Sequence, residues 1–160
     1  MSEPRLQRKG SPKGLQRLLF RAPVGLYRAK LGFLLGKRFL MLEHVGRKSG
    51  ETRRTVLEVV FDTDEATYVA AAWGSKAHWL QNIEANPDVT FHVGAKRYET
   101  TAAIVDNSEA RDVMAAYAAA HPKALGRLAS FMLDDPEDTP EEQAAQVADS
   151  IPIVRLPKGD

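Results

Sequence analysis

From Arg38 onward, apolar and polar positions alternate in short runs separated by turn residues, a spacing that predicts strands. Arg38–Val45 is the first, led by Phe39, Leu40, Met41 and Leu42. Arg54–Phe61 is the second, rich in Val and Thr, and Ala66–Ala72 the third, after the polar turn Asp62-Thr63-Asp64-Glu65. Trp73-Gly74-Ser75 breaks the pattern. Ser75 is placed to cap a helix over Lys76–Ala85, which Asn86-Pro87 ends. Val89–Val93 and Lys96–Val105 form the fourth and fifth strands, joined by Gly94-Ala95 as a two-residue hairpin.

The rest is mostly helical. Asp106-Asn107-Ser108-Glu109 resembles a capping box opening a helix over Ala110–Ala120, which His121-Pro122 stops. Lys123–Leu133 carries Leu125, Leu128, Phe131 and Met132 on one face. Thr139-Pro140-Glu141-Glu142 combines a cap, a first-turn proline and a glutamate at the third position, starting a helix to about Ala148. Ile151–Leu156 is a last strand, and Pro152 argues for an edge position. Six strands joined mostly by hairpins favour an α+β fold: an antiparallel barrel with helices packed outside.

Before Arg38 the pattern differs. Residues 1–12 are polar and basic, with Pro4, Gly10 and Pro12, and read as a flexible arm. A helical pattern starts at Lys13, is interrupted at Pro23 and ends near Gly32 or Gly36, so 13–160 reads as one domain with an N-terminal helix. The net charge of +1 conceals a polarity: residues 1–38 hold ten cations against Glu3 alone, and the remainder carries −8. Two readings of 13–38 stand: a peripheral contact with an anionic membrane surface, or a helix that covers the barrel and shows its charges to water. No apolar run is long enough to span a bilayer and cations interrupt every apolar stretch near the start, so a cytoplasmic protein is expected. No nucleic-acid reading motif is present.

Chemistry is concentrated in Gly46-Arg47-Lys48-Ser49-Gly50-Glu51-Thr52-Arg53-Arg54. A turn needs the glycines but not four cations. Glycine lets the backbone approach a ligand, successive amides can form an anion-binding nest, and Arg and Lys add charge-assisted bonds. The stretch reads either as a phosphate-binding corner or as a solvated basic hairpin. The chain has no cysteine, and its four histidines have no paired spacing, so no metal site is expected. There is neither a Walker loop nor a Gly-x-Ser-x-Gly elbow. A second cluster, Trp73 to Asn82, puts Trp79 and Asn82 on one helix face.

Together, Glu43-His44-Val45-Gly46-Arg47-Lys48-Ser49-Gly50 with Arg53, Trp79-x-x-Asn82 and Asn86-Pro87-x-Val89 resemble the deazaflavin-dependent nitroreductase family, split β-barrel proteins similar to flavin reductases. The resemblance runs from about Pro23 to His121. It implies coenzyme F420 and hydride transfer to a quinone, enone or nitro compound; the alternatives are an FMN-dependent oxidoreductase on the same barrel or a non-catalytic cofactor- or lipid-binding protein, and the chain reads as a monomer or homodimer. Carried over residue by residue, it implies that Lys48, Ser49 and Arg53, with Arg47 and Arg54, hold the phosphate. Ala70, Ala71 and Ala72 would edge the ring with Trp73 and Gly74, and Trp79 and Asn82 would line its other boundary. No catalytic residue is assigned; Tyr27 and Tyr68 are the phenol candidates. The chain departs from the family at Trp73-Gly74-Ser75 and at Pro122–Arg127, which has no tyrosine.

Overall fold

The computed structural model describes residues 38–71 and 74–159. The arm, the N-terminal helix with its membrane reading, Tyr27, Ala72 and Trp73 lie outside the described residues. Seven strands form one antiparallel sheet. They are β1 (Phe39–Val45), β2 (Thr52–Asp62), β3 (Ala66–Ala70), β4 (Asp88–Val93), β5 (Lys96–Thr101), β6 (Ala103–Ile104) and β7 (Ile153–Pro157). Their spatial order is β5-β4-β1-β2-β3-β7-β6. The two ends of that order are consecutive in the chain. β5 runs into β6 through Ala102, whose amide donates to the Pro87 carbonyl at 2.8 Å, so the sheet curls into a nearly closed barrel.

The pleat sorts the side chains. On β1, Leu40, Leu42 and His44 point into the barrel. Val69, Phe91, Val154 and Leu156 meet the leucines there, and Phe91 stacks on its cross-strand partner Tyr98 with ring centroids 4.9 Å apart. Helix α1 (His78–Ala85) adds Trp79, Leu80 and Ile83 to this interior cluster. A fully buried leucine contributes roughly 1.5–3 kcal/mol, so this interior holds the frame of the site. A second core lies on the outer face. Helices α2 (Asn107–Ala120), α3 (Pro122–Met132) and α4 (Pro140–Ser150) pack Met114, Leu125, Leu133 and Val147 against Val60 and Ile153. A register shift between Val59 and Phe61 turns both Val60 and Phe61 toward these helices.

The caps expected from sequence form. The Glu109 amide donates to Asp106 Oδ1 at 2.8 Å and the Glu142 amide to Thr139 Oγ1 at 3.2 Å. Four local expectations are corrected. The fifth strand is not continuous over Lys96–Val105: it breaks at Ala102 to reach the other sheet edge, giving seven strands rather than six. Ser75 does not cap α1. It sits inside a 3₁₀ turn, Gly74–Lys76, and α1 begins after Ala77 with no side-chain cap. β7 is not an edge strand but lies between β3 and β6; Pro152 precedes the paired stretch, so its missing N–H removes no ladder bond. Phe131 is 38% exposed and falls off the buried stripe of α3, which runs through Leu125, Ala129 and Leu133.

Candidate active site

The β1–β2 hairpin carries the basic stretch as its connecting loop. Val45 pairs with Thr52, so Gly46–Glu51 is the turn itself. The Gly46 amide donates to the Glu51 carbonyl and the Gly50 amide to the Gly46 carbonyl, both at 2.8 Å. Gly50 has φ +69°, where a side chain is strained, and a Cβ on Gly46 would stand 2.6 Å from Ser49 Oγ. Ser49 Oγ also accepts from the Glu51 amide at 3.2 Å and from Arg53 Nη2 at 3.4 Å.

Strand alternation separates the cations. Arg53 is paired with His44, on the inward-facing side, while Arg54 is paired with Glu43, on the outer side. There Arg54 Nε donates to Glu43 Oε1 at 3.0 Å, and His92 Nε2 stands 3.6 Å from the same carboxylate. Arg53 is only loosely held by Glu51, 3.5 Å away, with both side chains more than half exposed. Lys48 is exposed and has no ion-pair partner among the described residues. Arg47 turns back toward the barrel. Its amide and its Nη1 both donate to Asn82 Oδ1, at 3.1 and 2.8 Å, and Nη2 lies 3.4 Å from His78 Nδ1.

These two bonds orient the Asn82 amide. With Oδ1 occupied by Arg47, Nδ2 faces His44 Nδ1 at 2.9 Å and donates to it. His44 is therefore neutral, with its proton on Nε2. Burial, and secondarily the charge of Arg53, lower its pKa to about 4. A protonated His44 would present an N–H to Asn82 Nδ2, donor against donor. The relay His44–Asn82–Arg47 thus ties the loop to the barrel interior.

The depressed pKa has a sign. Below about pH 6.5 the unfolded chain binds a proton at His44 that the native state refuses until about pH 4. Stability from this group is complete above the unfolded value and is lost as pH falls through that window, by about 3 kcal/mol in all. Urea unfolding at pH 7 and pH 5 should differ by about 2 kcal/mol from this source, and His44→Gln should remove that part of the difference. An unchanged pH slope in the variant contradicts the assignment.

Of the other sequence candidates, Asn82 is brought to the loop through Arg47, while Trp79 packs into the barrel-interior cluster; both are nearly buried, at 4% and 7% exposure. Ala71 lies in the barrel interior, with its amide bonded to the Pro152 carbonyl and its carbonyl accepting from Gly74; Ala70 pairs with Ile153 and packs toward the helices. Gly74 is buried, with φ +66°. Tyr68 is not brought to the loop. Its partner Phe61 lies nine residues along β2 from Thr52, roughly 30 Å, and its hydroxyl donates to Glu109 Oε1 at 2.9 Å. Burial, then Glu109, raise its pKa. His44 in the relay and His78 beside Arg47 had no role in the sequence reading. The available signal was parity: His44 continues the inward series Leu40, Leu42.

Among the described residues, no group of acidic residues and histidines is arranged to hold a metal. An open hollow of about 490 Å³ beside the hairpin bears Glu43, Asp88 and Glu99 and repels an anion, whereas on the loop Lys48 has no ion-pair partner among the described residues and Arg53 has only an exposed surface pair with Glu51. The site can therefore hold one anionic group at the barrel mouth, against a fixed loop.

The barrel has the split β-barrel fold. A solved structure described as an F420-H2 dependent reductase superposes with a TM-score of 0.54 at 21% identity, covering 76% of this chain and 95% of that one. HutZ, the haem storage protein from Vibrio cholerae, gives 0.53 at 15% identity, with 84% and 91% covered. Residues 19–125 match the family described as F420H(2)-dependent quinone reductase, and the chain belongs to that family. It is 38% identical over 65 residues to an F420H(2)-dependent quinone reductase of Mycobacterium tuberculosis, a match covering 39% of this chain and 44% of that protein. The chain thus spans less than half the length of that relative. Among the described residues, no helix is long and apolar enough to cross a membrane.

Proposed function

We propose that the chain is an oxidoreductase that uses reduced coenzyme F420 to reduce a small conjugated acceptor, with quinones as the leading class and enones and nitro compounds as related ones. The observation that carries this reading is the basic hairpin. Its shape is fixed through Asn82; beside Ser49 stand Lys48, with no ion-pair partner among the described residues, and Arg53, held only by an exposed surface pair with Glu51. Lys48, Arg53 and Ser49 are the groups that hold the coenzyme's phosphate. Arg47 serves as a strut, because its guanidinium is committed to Asn82, and Arg54 belongs to Glu43 on the outer face.

Bound there, the coenzyme supplies a hydride from its ring carbon. The protein's part is to bind, orient and exclude water, and no nucleophile is required. Ala71 at the strand end, Gly74 in the 3₁₀ turn and Trp79 supply a largely apolar boundary for a flat ring, whereas Ala70 faces the outer helices.

Mixing purified protein with the reduced deazaflavin and a water-soluble naphthoquinone tests this by loss of the reduced coenzyme's absorbance. The expected result is acceptor-dependent oxidation, with the deazaflavin bound more tightly than FMN. Tight FMN binding with no deazaflavin binding would transfer the site to the flavin.

A further inference from the structure

A second cavity, of about 690 Å³, lies between β2 and the junction of α2 with α3. It is remote from the basic loop. Glu58, on its wall, pairs with Phe39, next to Arg38, six residues along the ladder from Val45–Thr52, or roughly 20 Å. Its apolar surface comes from Val60 and Phe61 on the sheet and from Ala116, Ala120 and Ala124 on the helices. The small alanine side chains leave a slot in which a flat ring can lie.

The charges around this slot do not balance. Its acids are Glu58 and Asp62, and both are engaged. Asp62 Oδ1 is 2.9 Å from Lys158 Nζ and accepts from Thr67 Oγ1 at 2.6 Å. Glu58 accepts from the Tyr117 hydroxyl at 3.1 Å and lies 3.9 Å from Arg38 Nε. Lys123 and Arg127 also line the cavity, and among the described residues neither has a carboxylate within ion-pair distance. Tyr117 is 2% exposed and remains a phenol, its pKa pushed up to about 12 by burial and then by Glu58, while Arg127 acts on it in the opposite sense.

An apolar slot with two uncompensated cations at its mouth favours an anion carried on a flat apolar body. We infer that this cavity binds a small aromatic carboxylate, its ring against Val60 and the alanine face and its carboxylate on Lys123 and Arg127. The inference does not rest on the coenzyme reading, since no residue is shared between the two sites.

The test is a titration of the full chain, without coenzyme, with 2-naphthoate and with the neutral, nearly isosteric 2-naphthamide, followed by amide chemical shifts. Naphthoate should move resonances in 116–127 and bind about tenfold more tightly than naphthamide, the worth of one charge-assisted contact. Lys123→Gln with Arg127→Gln should abolish that preference and leave naphthamide affinity unchanged; both side chains are exposed, so the fold is spared. Arg53→Ala should leave naphthoate binding unaltered. Equal affinities in the parent protein, a preference that survives the double change, or shifts confined to 46–54 would each overturn the inference.

Discussion

Replacing Asn82 by leucine, which is nearly isosteric, should lower stability by about 2–3 kcal/mol and loosen the basic loop. Three bonds disappear at once: two from Arg47 and one to His44. Water can replace those to the exposed Arg47, but the 5%-exposed His44 keeps a buried acceptor with no partner. An unsatisfied buried group costs about 1–3 kcal/mol, and the loss of loop order adds to it. The aspartate variant isolates the mechanism. Asn82→Asp retains oxygen acceptors for Arg47 but sets a carboxylate against His44 Nδ1, so the imidazole must carry a proton on Nδ1 to stay bonded, and the adjacent negative charge favours the imidazolium. Its pKa should rise from about 4 toward or above the ordinary histidine value. Urea unfolding reads the first effect and imidazole resonances against pH the second. A leucine variant as stable as the parent, or an aspartate variant with His44 still neutral at pH 5, contradicts the relay.

The combined change Lys48→Ala with Arg53→Ala should weaken coenzyme binding by about a hundredfold while leaving the fold intact. Charge-assisted bonds are worth about 1.5–3 kcal/mol each, and exposed groups fall at or below the lower end, which gives about 3 kcal/mol for the pair. The unfolding midpoint at neutral pH should barely move, because Arg53 is 55% exposed and its contact with Glu51 is a surface pair. A local signature should accompany the change. Arg53 lowers the His44 pKa, so its removal should raise that value and identify the two residues as neighbours. Retention of affinity in the double variant removes the phosphate role from the loop.

The parts of this account that depend on periodicity were readable in the sequence. Alternation marked the strands, and Asp106 and Thr139 marked the helix starts, because both signals are local. The break at Ala102 was not readable. Nothing in Lys96–Val105 announces that the strand must cross from one sheet edge to the other; barrel closure imposes it. The site divides in the same way. The glycines and cations of 46–54 signalled an anion site, but their division into Arg53 beside His44 and Arg54 beside Glu43 follows from strand register. The commitment of Arg47 to Asn82 is a contact across 35 residues that no spacing rule supplies.

Whether the hairpin grips the coenzyme's phosphate is decided by removing the phosphate from the ligand as well as the cations from the protein. Calorimetric titration of the parent chain and the Lys48→Ala/Arg53→Ala chain, each with coenzyme F420 and with the same deazaflavin riboside lacking its phosphate and tail, closes a cycle. The account predicts that the parent binds the coenzyme about a hundredfold more tightly than the riboside, and that the double change removes most of this advantage without altering riboside affinity. Equal losses for both ligands, or an advantage that persists in the variant, would place the phosphate elsewhere.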